Sequence, residues 1–196
     1  MRKVKNKNKK FSGQFKESLE YLKESRNYII AVMLIFLGGI LLGFIFPGQL
    51  GFLDEILKGI IDKIKGLGTL ETILFILQNN LRASFYGMVF GVLLGIFPVI
   101  GSLSNGVILG YVMQKVWVDS GVREFWRILP HGVFELPAIF ISLALGLRLG
   151  MFIFAKNKSD GFLERARKSM ILFVCVVIPL LIIAALIEGL LIAYYK

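Results

Sequence analysis

The sequence predicts an all-α protein, a polytopic transmembrane bundle of about five spans with amphipathic helices on its outer face. Three observations carry that reading. Of 196 residues, 56% are hydrophobic and 18% are charged, whereas a water-soluble domain carries about a quarter charged. The mean hydropathy is +0.74, and the apolar residues gather into runs matching the ~20 residues a helix needs to cross the hydrocarbon. The formal net charge of +10 is also localised, with +6 in residues 1–26 and +3 in residues 155–169. Short basic segments flanking apolar spans mark the cytoplasmic side. The charge therefore reads as topology, and nucleic acid is not expected as a partner.

Taken in order, residues 1–26 form a cytoplasmic basic amphipathic segment, and residues 27–196 form one bundle domain. In the first segment Phe15, Leu19 and Leu22 make a small apolar face, expected to rest on anionic lipid. The first span, 28–46, follows a basic stretch as a signal peptide would. It is longer than a signal core and ends in Phe46-Pro47-Gly48 without a small-x-small cleavage site, so it reads as an uncleaved anchor. The apolar block 70–117 is long enough for two spans. Gly95, Pro98 and Gly101 supply turn residues between them, which places helices at 71–96 and 98–117. The last two spans are 130–154 and 170–194. Five crossings from a cytoplasmic N-terminus leave the C-terminus outside.

Two outer segments read as interfacial. In 47–70, Leu53, Ile56, Leu57, Ile60, Ile61 and Ile64 recur at helical spacing between charged residues, as in a helix lying in the headgroup plane. A shorter stripe, Val122, Phe125, Trp126 and Leu129, follows the third span, with Trp117 and Trp126 at belt positions. Each could be a connector packed on the spans or a docking surface. The lone Cys175 lies in an apolar run, so no disulfide framework and no thiolate metal cluster is expected.

Every span carries small residues four apart: Gly39/Gly43, Gly87/Gly91/Gly95, Gly106/Gly110, Gly146/Gly150 and Ala185/Gly189. In lipid, helix association depends on close backbone approach, which such spacing permits. A tightly packed bundle follows, and one face could serve a homo-oligomer.

The polar residues within the spans suggest a site. Pro130 suits a first helical turn, which places His131 and Glu135 four apart on one face. Pro137 cannot donate to the Val133 carbonyl, leaving that acceptor free. At about 1.5 Å per residue, Glu135 lies about 8 Å inside the outer end of its span, Glu188 about 9 to 12 Å, and Gln78 to Arg82 about 10 to 17 Å. Ionisable groups in a membrane usually face the bundle interior or water. The expectation is one polar nest in the outer half: Asn79, Asn80, Arg82, His131, Glu135 and Glu188. It could be a structural network, with Arg82 compensating a carboxylate, or a substrate or proton pathway. It could also be a zinc site with His131 and Glu135 as two ligands and Glu188 as a third. Asn105 and Arg148 belong to the inner half, where Arg148 can snorkel to the cytoplasmic surface. No Walker motif, nucleophile elbow or dinucleotide fingerprint occurs.

Asn79-Asn80, Gly87 and Gly91, Asn105-Gly106 with Gly110, the block Leu129-Pro130-His131-Gly132-Val133-Phe134-Glu135-Leu136, and Gly146-Leu147-Arg148-Leu149-Gly150 resemble the signature of the stage II sporulation protein M family. The resemblance covers residues 27–192. It implies a five-span protein. In spore formers the namesake anchors and localises two cell-wall-degrading partners during engulfment and is not itself a wall hydrolase; the family also occurs where no spores form. The expected function is a non-enzymatic scaffold for membrane or envelope partners, needing no cofactor. A transporter or lipid-handling protein using the outer polar site is the alternative, and an intramembrane zinc hydrolase a further one.

Overall fold

The computed structural model describes residues 2–121, 129–154 and 158–194, with side chains from Ser12 onward except those at 129–131, 154 and 158–160. The described residues are helical and contain no strand.

The long basic helix α1 (Arg2–Glu24) turns at Ser25 into α2 (Arg26–Ile45). At the break the Tyr21 carbonyl accepts both the Ser25 N–H at 3.1 Å and the Ser25 hydroxyl at 2.7 Å. Phe46-Pro47 ends α2, because the proline ring disfavours helical backbone before it. The amphipathic α3 (Phe52–Lys65) has Asp54 and Glu55 in its first turn and Lys63 and Lys65 in its last, complementing the helix dipole at both ends. At the start of α4 (Thr69–Val89), the Gly68 N–H donates to Glu71 Oε2 at 2.9 Å.

The turn after α4 falls earlier than the sequence suggests. A 3-10 segment, Phe90–Val92, follows α4, and Leu94 (φ 56) and Gly95 (φ 71) reverse the chain in left-handed backbone. Helix α5 (Ile96–Ser120) then carries Pro98 in its first turn, where a missing N–H costs nothing, and Gly101 as an ordinary helical residue. The expected boundaries of 71–96 and 98–117 are corrected accordingly. Gly95 is held to glycine twice over, by its φ and by Leu147, whose Cδ1 lies 2.5 Å from where a Cβ would sit.

Helix α6 (Leu129–Gly150) contains Pro137, and α7 (Lys158–Leu172) runs through a π-helical stretch, Phe173–Val177, into α8 (Ile178–Tyr194). Pro179 lies just past that stretch; its missing N–H breaks the regular ladder, and the π turn absorbs the mismatch.

Packing fixes the direction of each helix. Gly39 of α2 lies against the Leu103 carbonyl and Gly43 against the Val107 carbonyl, so α2 and α5 run parallel. Gly87 of α4 meets Leu143 and Gly91 meets Gly146, so α4 and α6 are also parallel. The two pairs oppose each other. Val32 of α2 packs with Ile139, Leu143 and Ala144 of α6, and Phe36 meets Phe140 edge-on at 5.1 Å, so numbering rises on one helix as it falls on the other. Helix α8 opposes α4, with Gly189 on Ile73 and Phe173 at 5.5 Å from Phe85.

Helices α2, α4, α5, α6 and α8 therefore alternate in direction, as successive crossings must. Among the described residues four segments, Arg26–Ile45, Ile96–Ser120, Gly132–Ile153 and Gly161–Tyr194, are long and apolar enough to span a membrane. The 21-residue α4 is interrupted by Gln78, Asn79, Asn80 and Arg82, yet its contacts with α6 and α8 hold it at the same depth.

Both basic segments arrive at one end of the bundle, where Arg167 of α7 pairs with Glu17 of α1 at 3.4 Å. The apolar face of α1 is partly covered by protein: Tyr21 is buried, and Leu19 and Leu22, partly buried, pack on a core that includes Leu172 and Phe173. Leu19 and Leu22 of the face expected to rest on lipid thus also contact the bundle.

Candidate functional site

Two glycine crossings form the frame. On α5, Gly106 and Gly110 sit against the Phe36 and Ile40 carbonyls; on α6, Gly146 and Gly150 sit against the Gly87 and Gly91 carbonyls. A methyl group at any of these positions would collide with backbone, so close approach requires glycine. Each crossing adds one buried hydrogen bond. The Ser102 hydroxyl donates to the Val32 carbonyl at 2.7 Å, and the Ser142 hydroxyl donates to the Ser84 carbonyl at 2.6 Å. The serines were missed in reading the sequence, although Ser102-x3-Gly106-x3-Gly110 and Ser142-x3-Gly146-x3-Gly150 repeat the same spacing.

The expected nest divides. Glu135 of α6 and Glu188 of α8 are half-buried and lie within electrostatic range of each other. Asn80 falls on the stripe of α4 that includes buried Thr72, Ile76, Ser84 and Met88, and so faces the neighbouring helices. Asn79 and Arg82 are exposed, with Arg82 nearly opposite that stripe. Asn79 donates to the Asn80 side chain at 3.4 Å. Arg82 forms no ion pair among the described residues and does not compensate Glu135 or Glu188. It lies two residues before Ser84, whose carbonyl takes the hydrogen bond from Ser142 midway along α6, and so sits at mid-depth of the bundle.

The helical backbone keeps His131 one turn before Glu135, while its side chain lies outside the described residues. Among the described residues no three His, Cys, Asp or Glu side chains converge as a metal site. The Val122, Phe125, Trp126 and Leu129 stripe also lies outside the described side chains.

Two further polar clusters pin amphipathic helices to the frame. At the basic end, Arg148 reaches into α1: Nη1 donates to the Tyr21 carbonyl at 2.6 Å and the Ser25 hydroxyl at 2.8 Å, and Nη2 pairs with Glu24 at 2.8 Å. Its guanidinium also stacks on the Tyr21 ring, 3.8 Å from the centroid. Arg148 therefore clamps α1 rather than reaching only for the surface. At the far end, the Tyr111 hydroxyl donates to Asp54 Oδ1 at 2.8 Å, and Lys115 pairs with the same oxygen. The Lys115 ammonium, and then the Tyr111 hydroxyl, hold the Asp54 carboxyl below its usual range. The signals were Tyr111 and Lys115 one turn apart, and Tyr21 and Ser25 one turn apart.

Beyond its first turn α3 is largely exposed. Leu53 is 5% exposed, but Ile56, Ile60 and Ile61 are 50%, 43% and 52% exposed. Leu57 and Ile64 are partly covered, so the uncovered part of its apolar face is the side that carries the three isoleucines.

The family model of stage II sporulation protein M matches residues 30–191, which include both glycine crossings and the Pro130–Glu135 block. The chain belongs to this family. Proteins similar to it include two from Methanocaldococcus jannaschii, both described as uncharacterized. One is 32% identical over 126 residues, 61% of this chain and 55% of the relative, so the match spans about half of that protein. The other is 27% identical over 166 residues, 82% of this chain and 90% of the relative. No solved structure matches.

Proposed function

We propose that this member of the stage II sporulation protein M family is a non-enzymatic multipass scaffold that recruits or localises membrane or envelope partners. The carrying observation is α3, fixed at its root by Leu53 and the Asp54–Tyr111–Lys115 cluster while Ile56, Ile60 and Ile61 remain uncovered. Burying the exposed half of each isoleucine against a partner would contribute on the order of 1 kcal/mol. The shared end of the two basic segments supports a cytoplasmic N-terminus; the alternation of five helices then supports an external C-terminus and α3 on the outer face. The test is Leu57→Asp and Ile61→Asp. Neither residue is buried, so the bundle should fold normally while co-purifying partners are lost; unchanged co-purification overturns the reading.

A transporter or lipid-handling role is the second reading. It is favoured by the Glu135–Glu188 neighbours within the bundle, and by two parallel pairs running in opposite senses, as in carriers built from inverted repeats. Glu135→Gln should then abolish a flux or lipid-binding signal in reconstituted protein without changing its melting. An unaltered signal excludes that role for Glu135.

A further inference from the structure

We infer that the outward face of α4 is an intramembrane docking stripe for a transmembrane helix of a different protein, one carrying a carboxylate at mid-bilayer depth opposite Arg82. This rests on the scaffold reading and names the chemistry of one partner.

Gln78, Asn79 and Arg82 are all exposed. Gln78 and Arg82 are one turn apart on the side of α4 opposite its buried stripe, and the Asn79 amide is adjacent. Contacts with α6 and α8 hold this face at the depth of the spans, where hydrocarbon would otherwise surround it. The outward face of α2, by contrast, is made for lipid: Leu34, Leu37, Leu41 and Ile45 are each more than half exposed.

A guanidinium at mid-span is costly in lipid. Snorkelling is an imperfect escape, because mid-depth leaves roughly 10 to 15 Å of hydrocarbon on either side. The Cα–Cβ bond also points back toward the start of α4, so reaching the basic end requires the side chain to double back. A facing carboxylate neutralises the charge and accepts the guanidinium's paired N–H groups, while Gln78 and Asn79 add amide hydrogen bonds across the contact.

The counter-charge does not come from a second copy. Two copies inserted in the same sense and meeting through α4 about an axis along the membrane normal would set Arg82 against Arg82 at equal depth. Of the acidic groups on this chain's spanning segments, Glu71, Asp119 and Glu164 lie near segment ends, and Glu135 and Glu188 are half-buried beside each other toward the far end, so none is displayed at mid-depth.

The test uses the full chain in phosphatidylcholine nanodiscs, titrated with a fluorescent Leu/Ala transmembrane peptide bearing Glu, Gln or Leu at its centre. The Glu peptide should associate about tenfold more tightly than the Leu peptide, with Gln between them. Arg82→Gln should erase the Glu preference and Arg82→Lys should keep part of it, both with unchanged melting because Arg82 is exposed. Equal binding of the three peptides by the unmodified chain, or a Glu preference that survives Arg82→Gln, overturns the inference. Equal binding together with Arg82-dependent capture of phosphatidylglycerol would assign the guanidinium to a lipid phosphate instead. Ile61→Asp should leave the peptide preference intact, so failure at α3 and failure at α4 are separately visible.

Discussion

The pair α2/α5 and the pair α4/α6 are built on the same lock and turn different chemistry toward the membrane. In each, two helices run parallel, glycines four apart press on facing carbonyls, and a serine hydroxyl one turn before the first glycine of the second helix bonds a carbonyl of the first. The pairs run in opposite directions. Outside the lock they diverge: α2 shows leucine and isoleucine, whereas α4 shows glutamine, asparagine and arginine. A common lock with unlike outer faces means that the polar stripe of α4 is not needed to hold the pair together. That separation is why we propose the stripe as a binding feature rather than a packing one.

The largest way to break the comparison is to add a methyl group inside one lock. Gly39→Ala meets the Leu103 carbonyl and Gly91→Ala meets the Gly146 backbone. Each should cost about 3 kcal/mol, because two backbones must separate. Gly38, beside Gly39 in α2, has nothing within 4 Å of a new Cβ, so Gly38→Ala should be neutral or stabilise by up to about 1 kcal/mol. Unfolding in mixed micelles reads all three. Equal stability of the Gly38 and Gly39 variants would show that α2 and α5 are not in this register.

A smaller effect tests whether the two locks are equivalent. Ser102→Ala and Ser142→Ala each remove one buried hydrogen bond, worth about 1 kcal/mol. Matching losses, measured in the same unfolding experiment, would support equivalence; a loss confined to one pair would show that the bond is incidental in the other.

The smallest expected effect concerns the amphipathic helices fastened to each pair, α3 on α5 and α1 on α6. Asp54 titrates below its ordinary value because Lys115 and Tyr111 stabilise its charged form. Its contribution is therefore fully present above the ordinary carboxylate pKa, ~3.9, and fades as pH falls through its lower folded value. Spin labels on α3 and α5 should keep their separation from neutral pH down to about 4 and spread only below it. In Asp54→Asn the distance should be broad and independent of acid; a sharp distance in that variant would show that Leu53 alone roots α3.

Much of the frame was legible in order. Long apolar runs, glycines at i+4 and basic flanks are local features whose meaning in lipid hardly depends on neighbours. The α4–α5 turn was harder, because Gly95, Pro98 and Gly101 each suit a turn and only backbone geometry selects Leu94 and Gly95. Leu19 and Leu22 showed an apolar face without showing that α7 would partly cover it. The grouping of Arg82 with Glu135 and Glu188 rested on depth alone, and depth does not say which way a side chain faces around its helix.

By itself the sequence determined the class, the span-forming segments, the backbone-contact glycines and the family, since each follows from hydropathy, spacing or motif along one chain. The tertiary structure alone decided that the locks are parallel and mutually inverted, that Arg148 clamps α1, and that Asn80 faces inward while Arg82 faces outward. The physical reason is rotational. A helix sequence specifies which residues share a stripe, but the stripe that faces protein is chosen by the helices that arrive beside it.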